Sequence, residues 1–246
     1  MRNLTKRPVI SILFLLAVPI AGLAIGVGLS FLMGLNGTDA GNFIANLVLL
    51  LVVFMVIPIY GFSFDELGLI LHKSKLRFHI ASSLAIFTGY LLFYLFVIQI
   101  SGMKPVNSSM IWGLMTYLVV VVAEELYFRG EVYGFIEKRS SAKWALVVSS
   151  VLFGIFHVRQ GLLGIITKTI TGVLWGSVRY TTSMIYLLII PVHFAFNATW
   201  LLFEGNWNTP PEWAIYAASA GELFLTALIL LAKPDRKSSA KQMKLL

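Results

Sequence analysis

Val119-Val120-Val121-Val122-Ala123-Glu124-Glu125-Leu126-Tyr127-Phe128-Arg129-Gly130 is the stretch on which the reading of this chain turns. Two adjacent carboxylates close an uncharged apolar run that begins after Lys104, and an arginine stands four residues past the second. In a water-soluble fold this is an ordinary helix end. Inside a bilayer an ionisable side chain is costly, needs a partner and is by default a functional candidate. The surrounding medium therefore decides what the stretch means.

Composition argues for a membrane. Of 246 residues, 58% are hydrophobic and 12% charged, and the mean hydropathy is +0.85. A soluble domain carries about 25% charged residues. No single core can bury so much apolar sequence, so an all-α, polytopic membrane protein is the expected class. The net charge of +8 does not indicate nucleic acid, because no basic patch interleaved with aromatics stands outside the loops. Cysteine is absent, which removes disulfides, thiolate nucleophiles and cysteine-ligated zinc together.

A bilayer is crossed by about 20 mostly apolar residues. Eight segments are expected to cross: 9–33, 42–61, 79–100, 110–136, 144–157, 162–178, 184–203 and 213–232. The first is longer than the roughly 7–15 residues of a signal-peptide core and is read as a retained helix rather than a cleaved leader. The sixth is the weakest, because Lys168 lies inside it. Residues 62–78 read as a basic connection partly at the interface. The whole of 1–246 reads as one transmembrane domain, with its motif region at about 110–203 and a charged cytoplasmic tail at 233–246.

Alternate loops differ sharply in basic charge. One side holds Arg2, Lys6, Arg7, Lys73, Lys75, Arg77, Lys138, Arg139, Lys143, Arg179, Lys233, Arg236, Lys237, Lys241 and Lys244. The other holds Lys104, Arg159 and Lys168. By the positive-inside rule both termini are expected in the cytoplasm.

Two more polar intrusions stand out, Phe153-Gly154-Ile155-Phe156-His157 and His193-Phe194-Ala195-Phe196-Asn197. Glu124, His157 and His193 each lie 14 residues from a cytoplasmic cation, namely Lys138, Lys143 and Arg179. At 1.5 Å per residue each is expected about 21 Å along its helix, at one level. Glu125 and Arg129 are spaced i, i+4 and share a face, as do His193 and Asn197. Arg129 lowers the cost of burying the carboxylates, and Pro191 is placed to kink its helix and free backbone groups.

Glu-Glu-x-x-x-Arg, then Phe-x-x-x-His, then His-x-x-x-Asn, on successive hydrophobic helices, resembles the CAAX protease and bacteriocin-processing family of intramembrane proteases. The motifs match at Glu124, Glu125, Arg129, Phe153, His157, His193 and Asn197 without departure, while the first hundred residues match only as generic spans. The resemblance implies a peptidase acting on a hydrophobic or membrane-tethered peptide, or a bacterial relative tied to peptide processing or bacteriocin immunity.

Amide hydrolysis needs an activated water, a stabilised oxyanion and a proton for the leaving amine. Glu124, Glu125, His157, His193 and Asn197 are the expected catalytic groups, supported by Arg129 and Phe153. Glu124 and His157 are expected at the water, and His193 with Asn197 at the oxyanion. No cofactor is expected, although Glu124, His157 and His193 also make an adequate three-ligand set for zinc. A His-Glu-x-x-His helix is absent.

Plainer readings accompany these. Glu-Glu with Arg also suits a structural ion pair, and His157 and Asn197 also suit hydrogen bonding between helices. A non-catalytic immunity or regulatory protein retains the same motifs as a binding site. A proton-coupled transporter uses such groups as a relay, but no repeated half or paired broken helices support it. Lys168 and Glu222 are expected to pair or to reach a wet cavity, and His72 and His79 to lie at the surface. Gly22, Gly26 and Ser30 are expected at a close helix contact.

Overall fold

Residues 8–101, 104–105, 111–204 and 212–232 are described by the computed structural model, and every long element among them is a helix. The order is α1 (Pro8–Leu32), α2 (Asp39–Tyr60), α3 (Lys73–Ser101), α4 (Ile111–Glu125), a π-helical segment (Leu126–Val132), α5 (Tyr133–Arg139), α6 (Ala142–Ile155), α7 (Gly161–Thr182), a second π-helical segment (Leu188–Phe194), α8 (Ala195–Leu202) and α9 (Glu212–Leu231). A two-residue antiparallel ladder, Lys104–Pro105 with Phe203–Glu204, ties the end of α3 to that of α8. The charged tail from 233, the first seven residues and Pro210-Pro211 lie outside the described residues.

The packing inverts that of a soluble protein. Leu13, Phe31, Leu92 and Phe224 are exposed, whereas Glu125, Arg129, Glu131 and His193 are buried. Soluble chains almost never bury charges while leaving large aliphatics outside, so lipid is the solvent of this surface. Among the described residues six helical runs are long and apolar enough to cross, including the continuous one from Ile111 to Arg139 and the Lys168-bearing one. The chain is a multi-pass membrane protein. The other two expected spans are shorter: α6 has 14 residues, and the second π segment with α8 covers Leu188–Leu202. These two bring His157 and His193 inward.

Small residues let the helices close. A β-carbon on Gly26 would stand 2.5 Å from the Ala45 carbonyl oxygen, so α1 and α2 meet backbone to backbone as the small-residue spacing predicts. The hairpin of α6 and α7 closes the same way at Gly172, whose β-carbon would lie 3.0 Å from Ser150. Thr38 caps α2 by accepting from the Gly41 amide at 3.1 Å. Pro19 lacks the N–H that the Leu15 carbonyl needs four residues back. Tyr127 supplies the missing donor from the first π segment, at 2.9 Å.

The connection at 61–72 is a set of turns, and α3 already begins at Lys73, so Lys73, Lys75 and Arg77 sit in its first turns. Leu67 is buried beneath the first π segment. The Arg179 guanidinium clasps the connection, donating to the Glu66 carbonyl at 2.8 Å, the Asp65 carbonyl at 3.3 Å and the Arg129 carbonyl at 3.3 Å. Arg179 is therefore a buried tie between segments, not a free interfacial charge.

Candidate active site

Glu124 and Glu125 are the last two residues of α4. Immediately after them the backbone widens to a π turn, a deviation frequent at functional sites. Arg129, inside that turn, reaches back so that its Nη1 donates to Glu125 Oε1 at 3.1 Å, with both side chains buried. The guanidinium also lies 4.3 Å from the centre of the Phe153 ring and 5.3 Å from that of Trp175. A planar, weakly hydrated cation suits such a stacked site better than an ammonium.

His193 arrives from the opposite side on the second π segment, which contains Pro191. Its Nδ1 lies 2.9 Å from Glu125 Oε1 and its Nε2 3.6 Å from Glu124 Oε2. Each ring nitrogen thus faces a carboxylate. The expected 21 Å depth does not apply on this branch, because the chain turns at Ser183 (φ 65°) and α7 stops at Thr182. What carries the segment is His79. Its Nε2 accepts the Leu187 amide at 3.3 Å, so Nδ1 holds the proton and pairs with Thr182 Oγ1 at 3.1 Å. His79 is buried, against the expectation of a surface group, while His72 pairs with Asp65 at 3.0 Å and is partly exposed.

Phe153 stands between the two imidazoles, its ring centre 4.7 Å from that of His157 and 6.3 Å from that of His193. His157 follows the end of α6, and its Nδ1 donates to the Phe153 carbonyl at 2.7 Å, which leaves Nε2 as the acceptor. It lies within electrostatic reach of Glu124, Lys168 and His193. Asn197, one turn beyond His193, is half-buried and has no hydrogen-bond partner among the described residues.

The two carboxylates differ in their surroundings. Glu125 is closed off and engaged by both Arg129 and His193, whereas Glu124 keeps about 23% of its side chain exposed. The arrangement thus pairs one anchored acid with one accessible acid beside two imidazoles. Among the described residues no three of His, Cys, Asp or Glu are gathered as a ligand set for a metal ion.

Residues 106–199 match the family model for type II CAAX prenyl endopeptidase Rce1-like proteins. This stretch of the chain is similar to Rce1-like proteins. The match spans all seven motif positions and agrees with the resemblance carried by those residues. Rce1-like proteins are a peptidase family. No curated protein matches the chain.

Sequence reading missed several groups around the Rce1-like motifs. Trp175 lies against His193, with ring centres 4.2 Å apart and the planes tilted by 44°. A helical count along α7 places it one turn past Thr171 and two past Lys168, which was the available signal. Lys168 and Glu222, expected to pair or to reach a wet cavity, interact electrostatically without a contact inside 4 Å, and each has nearer neighbours. Glu222 accepts from Tyr90 at 2.6 Å and meets Thr171 at 2.9 Å, while the Lys168 amine sits 4.7 Å from the centre of the Phe196 ring, within electrostatic reach of Glu222 and Glu124. Glu131 is also buried, with neither carboxylate oxygen hydrogen-bonded among the described residues.

Proposed function

We propose that this protein is an intramembrane endopeptidase that cleaves a hydrophobic or membrane-tethered peptide through a water activated by Glu124. The observation that carries the reading is the bracketing of His193 by both members of the acidic pair, at 2.9 and 3.6 Å, across two helices far apart in sequence.

The roles follow from exposure and hydrogen bonding. Glu124 is the accessible carboxylate, so it takes the proton from water and returns it to the leaving amine. A positioned general base of this kind contributes about 10²–10⁴-fold. Glu125, closed off and held by Arg129, anchors His193 and thereby the geometry of Glu124. His157 Nε2, the ring nitrogen left with a lone pair, helps to orient the same water. The Asn197 amide, with no hydrogen-bond partner among the described residues, supplies the N–H for the oxyanion beside His193. From the distribution of lysine and arginine we infer that both termini face the cytoplasm.

No step in this scheme runs through a metal. Purified protein in detergent, incubated with membrane-partitioning peptides and read by mass spectrometry, tests the reading. New peptide termini are expected, unchanged by chelator, with one oxygen from labelled water in each new carboxylate. Absence of new termini across such a panel contradicts the peptidase reading, and loss of cleavage with chelator contradicts the metal-free step.

A further inference from the structure

Glu222 is a carboxylate in the middle of an apolar helix, with no cation within 4 Å among the described residues and Lys168 farther off, within electrostatic reach. Such a group is costly in a bilayer and calls for an explanation. Its surroundings supply one. Tyr90, on α3, donates its hydroxyl proton to Glu222 Oε1 at 2.6 Å, and the same hydroxyl oxygen accepts the Trp175 indole N–H at 3.1 Å. Thr171, one turn before Trp175 on α7, stands 2.9 and 3.0 Å from the two Glu222 oxygens. All four side chains are buried. The far face of this network is the indole ring that lies against His193.

We propose that Tyr90 and Glu222 are positioning residues that lock the indole of Trp175 as the wall fixing His193 between Glu124 and Glu125. Neither residue lies in the stretch matched to the Rce1-like family, so α3 and α9 contribute to the site from outside it. A buried indole N–H must find an acceptor. Tyr90 is that acceptor, and its direction sets the rotation of the ring about its bond. Glu222, held in turn by Thr171, fixes where the Tyr90 hydroxyl points. The role is geometric, so an oxygen acceptor at 222 is sufficient and a charge is not required.

The kinetic part of the test rests on the peptidase reading; the spectroscopic part does not. The chain has four histidines, so ring signals of labelled His193 are assigned by their loss in His193→Ala. At 4.2 Å the indole ring current displaces these signals. Tyr90→Phe and Glu222→Leu are expected to move them toward their position in Trp175→Leu, with those of buried His79 unchanged as a control for folding. Glu222→Gln, which keeps the acceptor, leaves them in place. On a cleaved peptide, Tyr90→Phe and Glu222→Leu lower kcat about tenfold, the worth of one hydrogen bond, with KM within about twofold. Trp175→Phe with Tyr90→Phe is no worse than Trp175→Phe alone, since both act through one ring. Unmoved His193 signals in Tyr90→Phe and Glu222→Leu overturn the proposal, as does a Glu222→Gln protein as altered as Glu222→Leu. If no peptide is cleaved, the peptidase reading fails and the His193 signals alone decide this one.

Discussion

Replacing Arg129 by methionine removes the guanidinium that pairs with Glu125 and leaves that carboxylate sealed in the protein. The Nη1 to Oε1 distance is 3.1 Å and both side chains are at most 1% exposed. At an effective dielectric constant of about 20, two unit charges at that distance attract by about 5 kcal/mol. Breaking a buried pair by removing one partner costs about 3–5 kcal/mol, because the survivor stays desolvated. Methionine recovers some of the contact that the guanidinium makes with Phe153 and Trp175, so the lower half of that range is expected. Removing both charges, as in Glu125→Leu with Arg129→Met, leaves neither charge stranded, so the remaining cost is the lost His193 Nδ1 contact, about 1–3 kcal/mol. Reversible unfolding in mixed micelles, run as a double-mutant cycle, measures the coupling directly. A loss under about 1 kcal/mol in Arg129→Met, or additive effects of the two substitutions, would refute the pairing argument.

Other consequences follow from single contacts. Gly154→Ala puts a β-carbon onto Thr169 Oγ1 and 2.5 Å from the Ile165 carbonyl oxygen, so α6 and α7 must part; a loss of about 1–3 kcal/mol is expected in the same unfolding assay, with peptide cleavage impaired because His157 is three residues away. Tyr127→Phe strands the Leu15 carbonyl that Pro19 leaves free and costs about 1 kcal/mol; adding Pro19→Ala restores a backbone donor and much of the stability. Glu66, in the 61–72 connection, is pushed up by burial but more strongly held down by Lys138, 2.6 Å away, and by the Ser63 amide, so its pKa lies below the ordinary range. Its contribution is therefore complete above the usual carboxylate value near 4.3 and is lost as pH falls through the lower folded-state value. Because Lys138 is largely exposed, Glu66→Gln costs under about 1 kcal/mol at pH 7, and unfolding curves of the two proteins converge in acid.

The helices were legible because bilayer thickness imposes a length, and runs such as 42–61 and 213–232 satisfy it with little else to consider. The pairing of Glu125 with Arg129 was legible because i, i+4 spacing survives in the first π turn. The π segments themselves were not. An insertion of part of a turn changes no hydrophobic pattern that a reader can count, and Pro191 signals only that the ladder is broken, not how. Depth by residue counting failed for His193 because it presumed a straight helix from Arg179, where the chain turns at Ser183. Arg179 misled for a second reason. An arginine near a helix end reads as an interfacial charge, yet three backbone carbonyls from two other segments hold this one inside. Tyr90, Trp175 and Glu222 were out of reach of motif reading, because their meaning lies in contacts among α3, α7 and α9.

Comparing Glu124→Gln with Glu125→Gln on one cleaved peptide bears most directly on the division of labour between the two acids. The amide at 124 keeps the size of the side chain but cannot take a proton from water. Cleavage by Glu124→Gln is expected to fall by at least about 10²-fold with its unfolding midpoint unchanged, whereas Glu125→Gln loses stability along with activity. Glu124→Gln protein that releases the same new termini at the original rate would contradict the claim that this carboxylate activates the water.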